Sequence, residues 1–397
     1  MDVTHQAGGS ERPPAALAPA GVPGWAEIDL TAITDNVREL KRRAGSAEVM
    51  AVVKADGYGH GALPSARAAQ AGGATWLGVA QLDEALMLRG AGVGGPMLTW
   101  LYVPGCDLGA AVLADIDIAV SAPWALTDLV TAAGRLGRTP RVHLKVDTGL
   151  GRNGAFGVEW SALVNASAAA VAEGAIDVVG VWSHFAYADA PDHPTVRAQQ
   201  ECFEDAVREL ERAGVHPQLR HLANSAATLT NPSAHYDLVR PGVAIYGLSP
   251  VPQLGSSADF GLREAMRVRA RLAQVKTLPE GQGISYGHAY VTDRETRVGL
   301  VPLGYADGIP RSASNAGPCL MGERRLTVAG RVCMDQFVLD LGPHSPALAG
   351  DVVTLWGSAA VGEPTAQDWA HATGTIDYEI VTRIATRLPH YYRTGGA

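Results

Sequence analysis

Cysteine is the scarcest chemistry-bearing residue in this 397-residue chain, and Cys106, Cys202, Cys319 and Cys333 stand far apart with no CxxC pair. That spacing argues against a disulfide framework and against a zinc cage, and no HExxH motif offers a helical zinc site. The expectation is reduced thiols in a reducing, cytoplasmic compartment, and no metal. No apolar run approaches the ~18 residues that a membrane helix needs. Positive charge is also short: the formal net charge is −8, which speaks against a nucleic-acid surface and for a small-molecule partner. Residues 1–24 lack both the basic start and the continuous apolar segment of a signal peptide, and their Pro, Ala and Gly read as a disordered lead-in. No Walker A lysine motif is present.

What is there is material for a core. Hydrophobic residues make up 47% and charged residues 18% of the chain, a globular composition. The length suits an α/β barrel of roughly 250 residues with a second, smaller domain.

Eight short apolar runs alternate with helical patterns: "VMAVV", "TWLGVA", "MLTWL", "DIAV", "RVHLKV", "VVGVWSHF", "LRHLAN" and "LVRPGVAIYG". Apolar runs without polar alternation suit parallel strands covered on both faces. Between them, "TVRAQQECFEDAVRELERAG" predicts a helix with Pro194 in its first turn and Gly214 at its end, and "LDEALMLRG" predicts a shorter one. The pattern predicts a TIM-type (β/α)8 barrel over residues 25–262, with a doubly wound open sheet as the structural alternative. From 263 to 397 the texture turns β-rich, bounded by Gly, Pro and Asp turns, which predicts a mainly β C-terminal domain. "WAEIDL", about residues 25–30, is an extra strand that could join either unit.

In a barrel the active site lies at the C-terminal ends of the strands. The residues closing the apolar runs are Lys54, Lys145 with Asp147, His184, Asn224 with Ser225, and Arg240. Each has an ordinary explanation: a lysine capping a strand reaches water, and a histidine after a strand is a hydrogen-bonded structural residue. Their gathering on one rim is what points to chemistry. One motif is a decoy. "GLGRNG", Gly149–Gly154, matches a dinucleotide fingerprint, but the next helical pattern begins only near Val158, too late to receive a pyrophosphate.

Nine blocks, taken in order, resemble the bacterial alanine racemases, which use pyridoxal 5′-phosphate (PLP) on a barrel plus β-domain scaffold: "VVKADGYGHG", "KVDTGLGRNG", "SHFAYAD", "ANSAA", "RPGVAIYG", "SYG", "GYADG", "GRVCMDQ" and "DYEI". The likeness runs from about Trp25 to the final helical pattern. It implies that Lys54 holds PLP covalently, that the glycines after it allow the backbone to turn so that Tyr58 reaches the phosphate, and that Asn224, Ser225, the backbone of Gly242 and Val243, and Tyr378 complete the cofactor site. His184 and Arg240 would flank the pyridine ring. A guanidinium donates to the ring nitrogen without giving up its proton, so the ring stays neutral, a weaker electron sink than the pyridinium beside a carboxylate. That favours racemisation over transamination.

The resemblance also implies two bases, Lys54 on one face of the substrate and Tyr286 on the other. A phenol with a reference pKa of about 10 needs roughly 4 kcal/mol of differential stabilisation to act near pH 7, part of which Arg152 and His184 could supply. Tyr286 would come from the partner subunit, making a homodimer with shared active sites. Arg152, Tyr305 and the backbone N–H of Met334 would contact the substrate, and Lys145 would be carbamylated, turning a repelling cation into a partner for Arg152. Asp189, Arg311, Arg331, Cys333, Asp335 and Ile376 would form an entrance corridor and rim.

Asp377 and Asn153 depart from the family pattern, which commonly has proline and an aliphatic residue there. The leading expectation is racemisation of L-alanine to D-alanine for peptidoglycan. Alternatives are racemisation of serine or of a broader amino-acid range, a barrel-type decarboxylase, which the arginine opposes, and a non-catalytic PLP carrier, which the long β-rich segment opposes.

Overall fold

The structure of the protein is a computed structural model that describes residues 18–384 and 386–395. Residues 1–17 of the expected lead-in lie outside the described residues. The rest of it, Ala18–Pro23, is tied down: Ala18 is buried, and the Pro23 carbonyl accepts the Arg271 N–H at 2.8 Å.

The apolar runs become strands, most of them buried over the greater part of their length. β1 (Gly24–Asp29) is followed by β2 (Glu48–Val52), β3 (Trp76–Gln81), β4 (Met97–Leu101), β5 (Asp117–Val120), β6 (Arg141–Lys145), β7 (Asp177–Trp182), β8 (Leu219–His221) and β9 (Leu238–Val239). β2 to β9 form one eight-stranded parallel sheet in which each strand pairs with the next in sequence up to β8, and β9 pairs back on β2. Two bonds close the ring, Asp237 N–H to the Arg220 carbonyl at 3.1 Å and Arg240 N–H to the Ala223 carbonyl at 2.9 Å. The (β/α)8 barrel is therefore the fold, and the open doubly wound sheet is not.

The eighth strand is much shorter than its apolar run suggests. It stops at Val239 because Pro241 has no N–H for a ladder, and Gly242 (φ −111, ψ −90) turns the chain into a 3₁₀ turn at Val243–Tyr246. The helix Pro194–Arg212 starts at its proline, with His193 as N-cap, and buries Val196, Gln199, Phe203, Ala206, Val207 and Leu210. That is the stripe expected of a helix lying on a sheet.

β1 belongs to the second unit. It pairs antiparallel with β10 (Met266–Arg271) and parallel with the final strand. Onward come β11 (Gln274–Leu278), β12 (Gly283–Ile284), β13 (Tyr290–Val291), β14 (Thr296–Val301), β15 (Pro318–Met321), β16 (Arg324–Thr327), β17 (Phe337–Gly342), β18 (Val352–Trp356) and β19 (His390–Arg393). They build a six-stranded sheet ordered β16-β15-β18-β10-β1-β19, a three-stranded sheet β11-β14-β17 and the hairpin β12-β13.

A buried ionic quartet locks the larger sheet. The Arg267 Nε lies 2.7 Å from Glu363 Oε2, and the Arg269 Nη1 lies 3.3 Å from Glu27 Oε1. Cross-pairs at 3.7 Å and 3.5 Å complete it. Near the C-terminus a short helix spans Asp377–Thr382.

Candidate active site

Lys54 follows β2, and the backbone after it changes hand. Ala55 (φ 52), Asp56 (φ 50), Gly57 (φ 62), Tyr58 (φ 53) and Gly59 (φ 79) all sit in the left-handed region. Three of the five carry a Cβ, so glycine alone does not make this turn. Each such residue costs about 1–2 kcal/mol, and the surroundings hold it in place. Asp56 Oδ1 accepts the Ala62 N–H at 2.7 Å. His60 Nδ1 lies 3.0 Å and 2.9 Å from the carbonyls of Gly57 and Tyr58, so it donates to both.

The C-terminal segment presses on the same turn. A Cβ at Gly59 would lie 2.3 Å from the Val381 carbonyl, and His390 Nε2 lies 2.8 Å from the Gly59 carbonyl. Strain of this kind persists only where neighbours over-determine it, as they do at functional sites.

Beside the turn opens a cavity of about 400 Å³. It brings together Lys54, Tyr58, Lys145, Arg152, His184, Asn224, Ser225, Arg240, Gly242, Val243 and Tyr378, all singled out from the sequence. Tyr286, Tyr305 and Met334 are not among its lining residues; they stand on the β-rich unit at 72%, 44% and 53% exposure. Sequence reasoning passed over Trp100 and Trp182, which also line it. Their signal was position, because Trp182 is the last residue of β7 and Trp100 the last but one of β4. Asp147, expected on the rim, instead turns inward on its own loop and accepts the N–H groups of Gly149, Leu150 and Gly151.

Among the described residues, four basic side chains and no carboxylate line this cavity. Burial, with Arg152 nearby, pushes the Lys54 amine down, opposed by Glu84. Burial also pushes Lys145 down to about 7, helped by Arg240 and Arg152 and opposed by Asp147. The Lys145 Nζ lies 4.1 Å over the Trp182 ring. His184 is held well below its usual range by burial and then by the two arginines, so it is neutral. Tyr58 and Tyr378 are pushed up by burial and stay as phenols that can donate.

Arg240 is anchored from below. Its Nη2 donates to the Ser183 carbonyl at 2.7 Å and lies 3.4 Å from His184 Nδ1, and its Nη1 lies 3.2 Å from His221 Nδ1. Arginine has donors only, so His221 Nδ1 accepts. His221 Nε2 then donates to His143 Nδ1 at 2.9 Å, and His143 Nε2 donates to Asp117 Oδ2 at 3.2 Å. A Cβ at Gly180 would sit 2.3 Å from His143 Nδ1, so the glycine makes room for this chain. Burial lowers Arg240 to about 9, which leaves it a cation at neutral pH.

The donor set fits PLP. A dianionic phosphate and an amino-acid carboxylate call for cations and hydroxyls without competing carboxylates, and that is the lining. A Cβ at Gly242 would lie 2.2 Å from the Tyr58 hydroxyl, so only glycine lets that hydroxyl reach the floor. Ser225 Oγ accepts the N–H groups of Gly242 and Ala244 at 2.8 Å and 3.3 Å, which frees its own proton to donate. An arginine is suited to an acceptor nitrogen of the ring, a lysine to its aldehyde.

Comparison with known proteins agrees with this geometry. Residues 28–250 match the family model described as alanine racemase, N-terminal domain, and residues 265–392 match that of the C-terminal domain. The chain is 58% identical over 379 residues to the alanine racemase of Frankia casuarinae, covering 95% of this chain and 98% of that one. It is 56% identical over 366 residues to that of Salinispora tropica, covering 92% and 97%. Among solved structures, an alanine racemase from D-cycloserine-producing Streptomyces lavendulae superposes with a TM-score of 0.93 at 54% identity, covering 95% and 98%. The enzyme from Bacillus anthracis with bound L-Ala-P gives 0.87 at 34%, covering 96% and 97%.

Proposed function

The chain belongs to the alanine racemase family, and from that premise we propose that it interconverts L- and D-alanine with PLP as cofactor and with Lys54 and Tyr286 as bases on opposite faces. The observation that carries this reading is the carboxylate-free cavity in which Lys54, Arg152 and Arg240 meet. PLP, when bound, withdraws electron density from the substrate's Cα and so acidifies its hydrogen.

Everything else is the work of the chain. Tyr58, Ser225, Val243 and Tyr378 hold the phosphate, with Asn224 capping the segment that carries Ser225. Arg240, a cation pinned to backbone carbonyls, donates to the ring nitrogen and does not protonate it. That donation without protonation would favour prompt return of a proton to Cα over transamination. A carboxylate at that position would mark the decarboxylase alternative instead. Arg152 steadies the substrate carboxylate.

Lys54 takes or returns the Cα proton on its face. Burial and the nearby Arg152 lower the lysine's affinity for protons, which favours the free amine that a base must be. Tyr286 serves the other face from the partner of a homodimer, and that partner also presents Tyr305 and the N–H of Met334 to the substrate. Tyr286 is strongly exposed here, as a group awaiting a second chain would be. The division of labour follows residues 25–262, whose barrel supplies most cofactor contacts, and 263–397, which add Tyr378 and the second base and whose sheet takes in β1.

A neutral amine at Lys145 adds CO2 to give a carbamate and one released proton. The product would place a negative group beside Arg152 and Arg240. The D-alanine formed would supply peptidoglycan, with the enzyme in the cytoplasm, where four free cysteines are at home. Among the described residues no helix is long and apolar enough to cross a membrane.

The test is exchange of the α-hydrogen into heavy water across a panel of L- and D-amino acids with PLP present. Exchange of both alanine enantiomers, with serine slower, is expected. Failure to exchange alanine would leave a PLP carrier and overturn the proposal.

A further inference from the structure

Glu84 does more than its place in a helix requires. It is the third residue of the helix Leu82–Gly90, and its Oε2 accepts the N–H groups of Ala80 and Gln81 at 2.9 Å each. That completes a capping box, and capping asks nothing of the other oxygen. Yet Oε1 reaches back to the N–H of Ala55 at 2.6 Å. Ala55 is where the chain enters its left-handed turn (φ 52, ψ 53), so the Lys54–Ala55 peptide lies at the change of hand, outside any ladder. One carboxylate thus ties the end of β3 to the peptide leaving Lys54. Three N–H donors share its two oxygens, and it is the group whose charge opposes Arg152 at the Lys54 amine.

We propose that Glu84 is a positioning residue for the reaction: it pins the peptide after Lys54 and thereby fixes the direction in which the lysine amine enters the cavity. It touches neither substrate nor cofactor. The proposal rests on the assignment of Lys54 as the PLP-bearing base.

Glu84→Gln keeps the shape but replaces one acceptor oxygen with an NH2 that must face a backbone N–H. In the PLP-loaded enzyme kcat should fall roughly ten- to a hundredfold, the rate equivalent of one charge-assisted hydrogen bond, while KM for alanine stays within about threefold. Hydroxylamine should strip PLP from this variant several-fold faster, followed by loss of visible absorbance. Should Glu84→Gln not fold, Glu84→Asp keeps the charge and withdraws from Ala55, and it should move the same readouts in the same direction. Asp83→Asn, on the same turn, should change none of them.

A lower melting temperature with unchanged kcat and stripping rate would reduce Glu84 to a helix cap and overturn the proposal. Lys54→Ala that still racemised alanine would overturn the underlying assignment instead.

Discussion

At the residue scale, the two proposed bases give the sharpest expectations. Lys54→Ala should abolish both the visible absorbance of bound PLP and α-hydrogen exchange, and spectra with deuterium incorporation check it. Tyr286→Phe should slow proton removal from L-alanine far more than from D-alanine, because only one face loses its base; equal losses would argue for a single base. Lys145 gives a pH prediction for the PLP-free chain. Its amine is pushed down to about 7 in the fold against about 10.4 unfolded, so between those values the unfolded chain binds more protons and stability rises with pH. Lys145→Met, which lacks the buried charge, should therefore melt higher at pH 6–7, with the advantage fading toward pH 10, as scanning calorimetry would show. Lys54, Lys145, His184, Asn224, Ser225 and Arg240 were legible from their places at the ends of apolar runs, whereas Tyr58, Arg152, Gly242, Val243 and Tyr378 were read only from the family resemblance. His143, His221 and Asp117 were not legible, because a polar residue inside a strand reads as noise until its neighbour on the same face is known. His143 lies two residues before Lys145, so strand alternation sends both inward.

At the element scale, the turn after Lys54 carries a cost that its neighbours offset. Gly59→Ala would push a Cβ against the Val381 carbonyl at 2.3 Å from a φ of 79. It should destabilise by about 1–3 kcal/mol and also loosen PLP, read as a lower melting temperature and faster cofactor release. The glycines here announced a turn. They did not announce its hand through Ala55, Asp56 and Tyr58, since no local pattern marks those residue types for positive φ; only the contacts from Asp56, His60 and the C-terminal segment decide it. The truncated eighth strand has the same lesson in reverse: Pro241 was visible, but its apolar flanks outweighed it.

At the scale of the whole molecule, β1 stitches the two units together, entering the larger sheet of the second before the chain begins the barrel. The quartet of Glu27, Glu363, Arg267 and Arg269 fastens β1 into that sheet. Glu363→Gln, leaving two buried guanidinium groups undercompensated, should cost about 3–5 kcal/mol in chemical denaturation. Shared sites predict complementation: mixing inactive Lys54→Ala and Tyr286→Phe proteins, then letting subunits exchange, should restore about one quarter of wild-type activity. Half the random dimers would be mixed, each with one intact site. No recovery would place both bases within one chain.

The line from Arg240 through His221 and His143 to Asp117 has a wider consequence. Every link gives in the same direction, so the barrel floor is polarised away from the cavity and ends on the Asp117 carboxylate. A ring held over Arg240 would thus rest on a cation whose orientation the scaffold has fixed before any amino acid arrives.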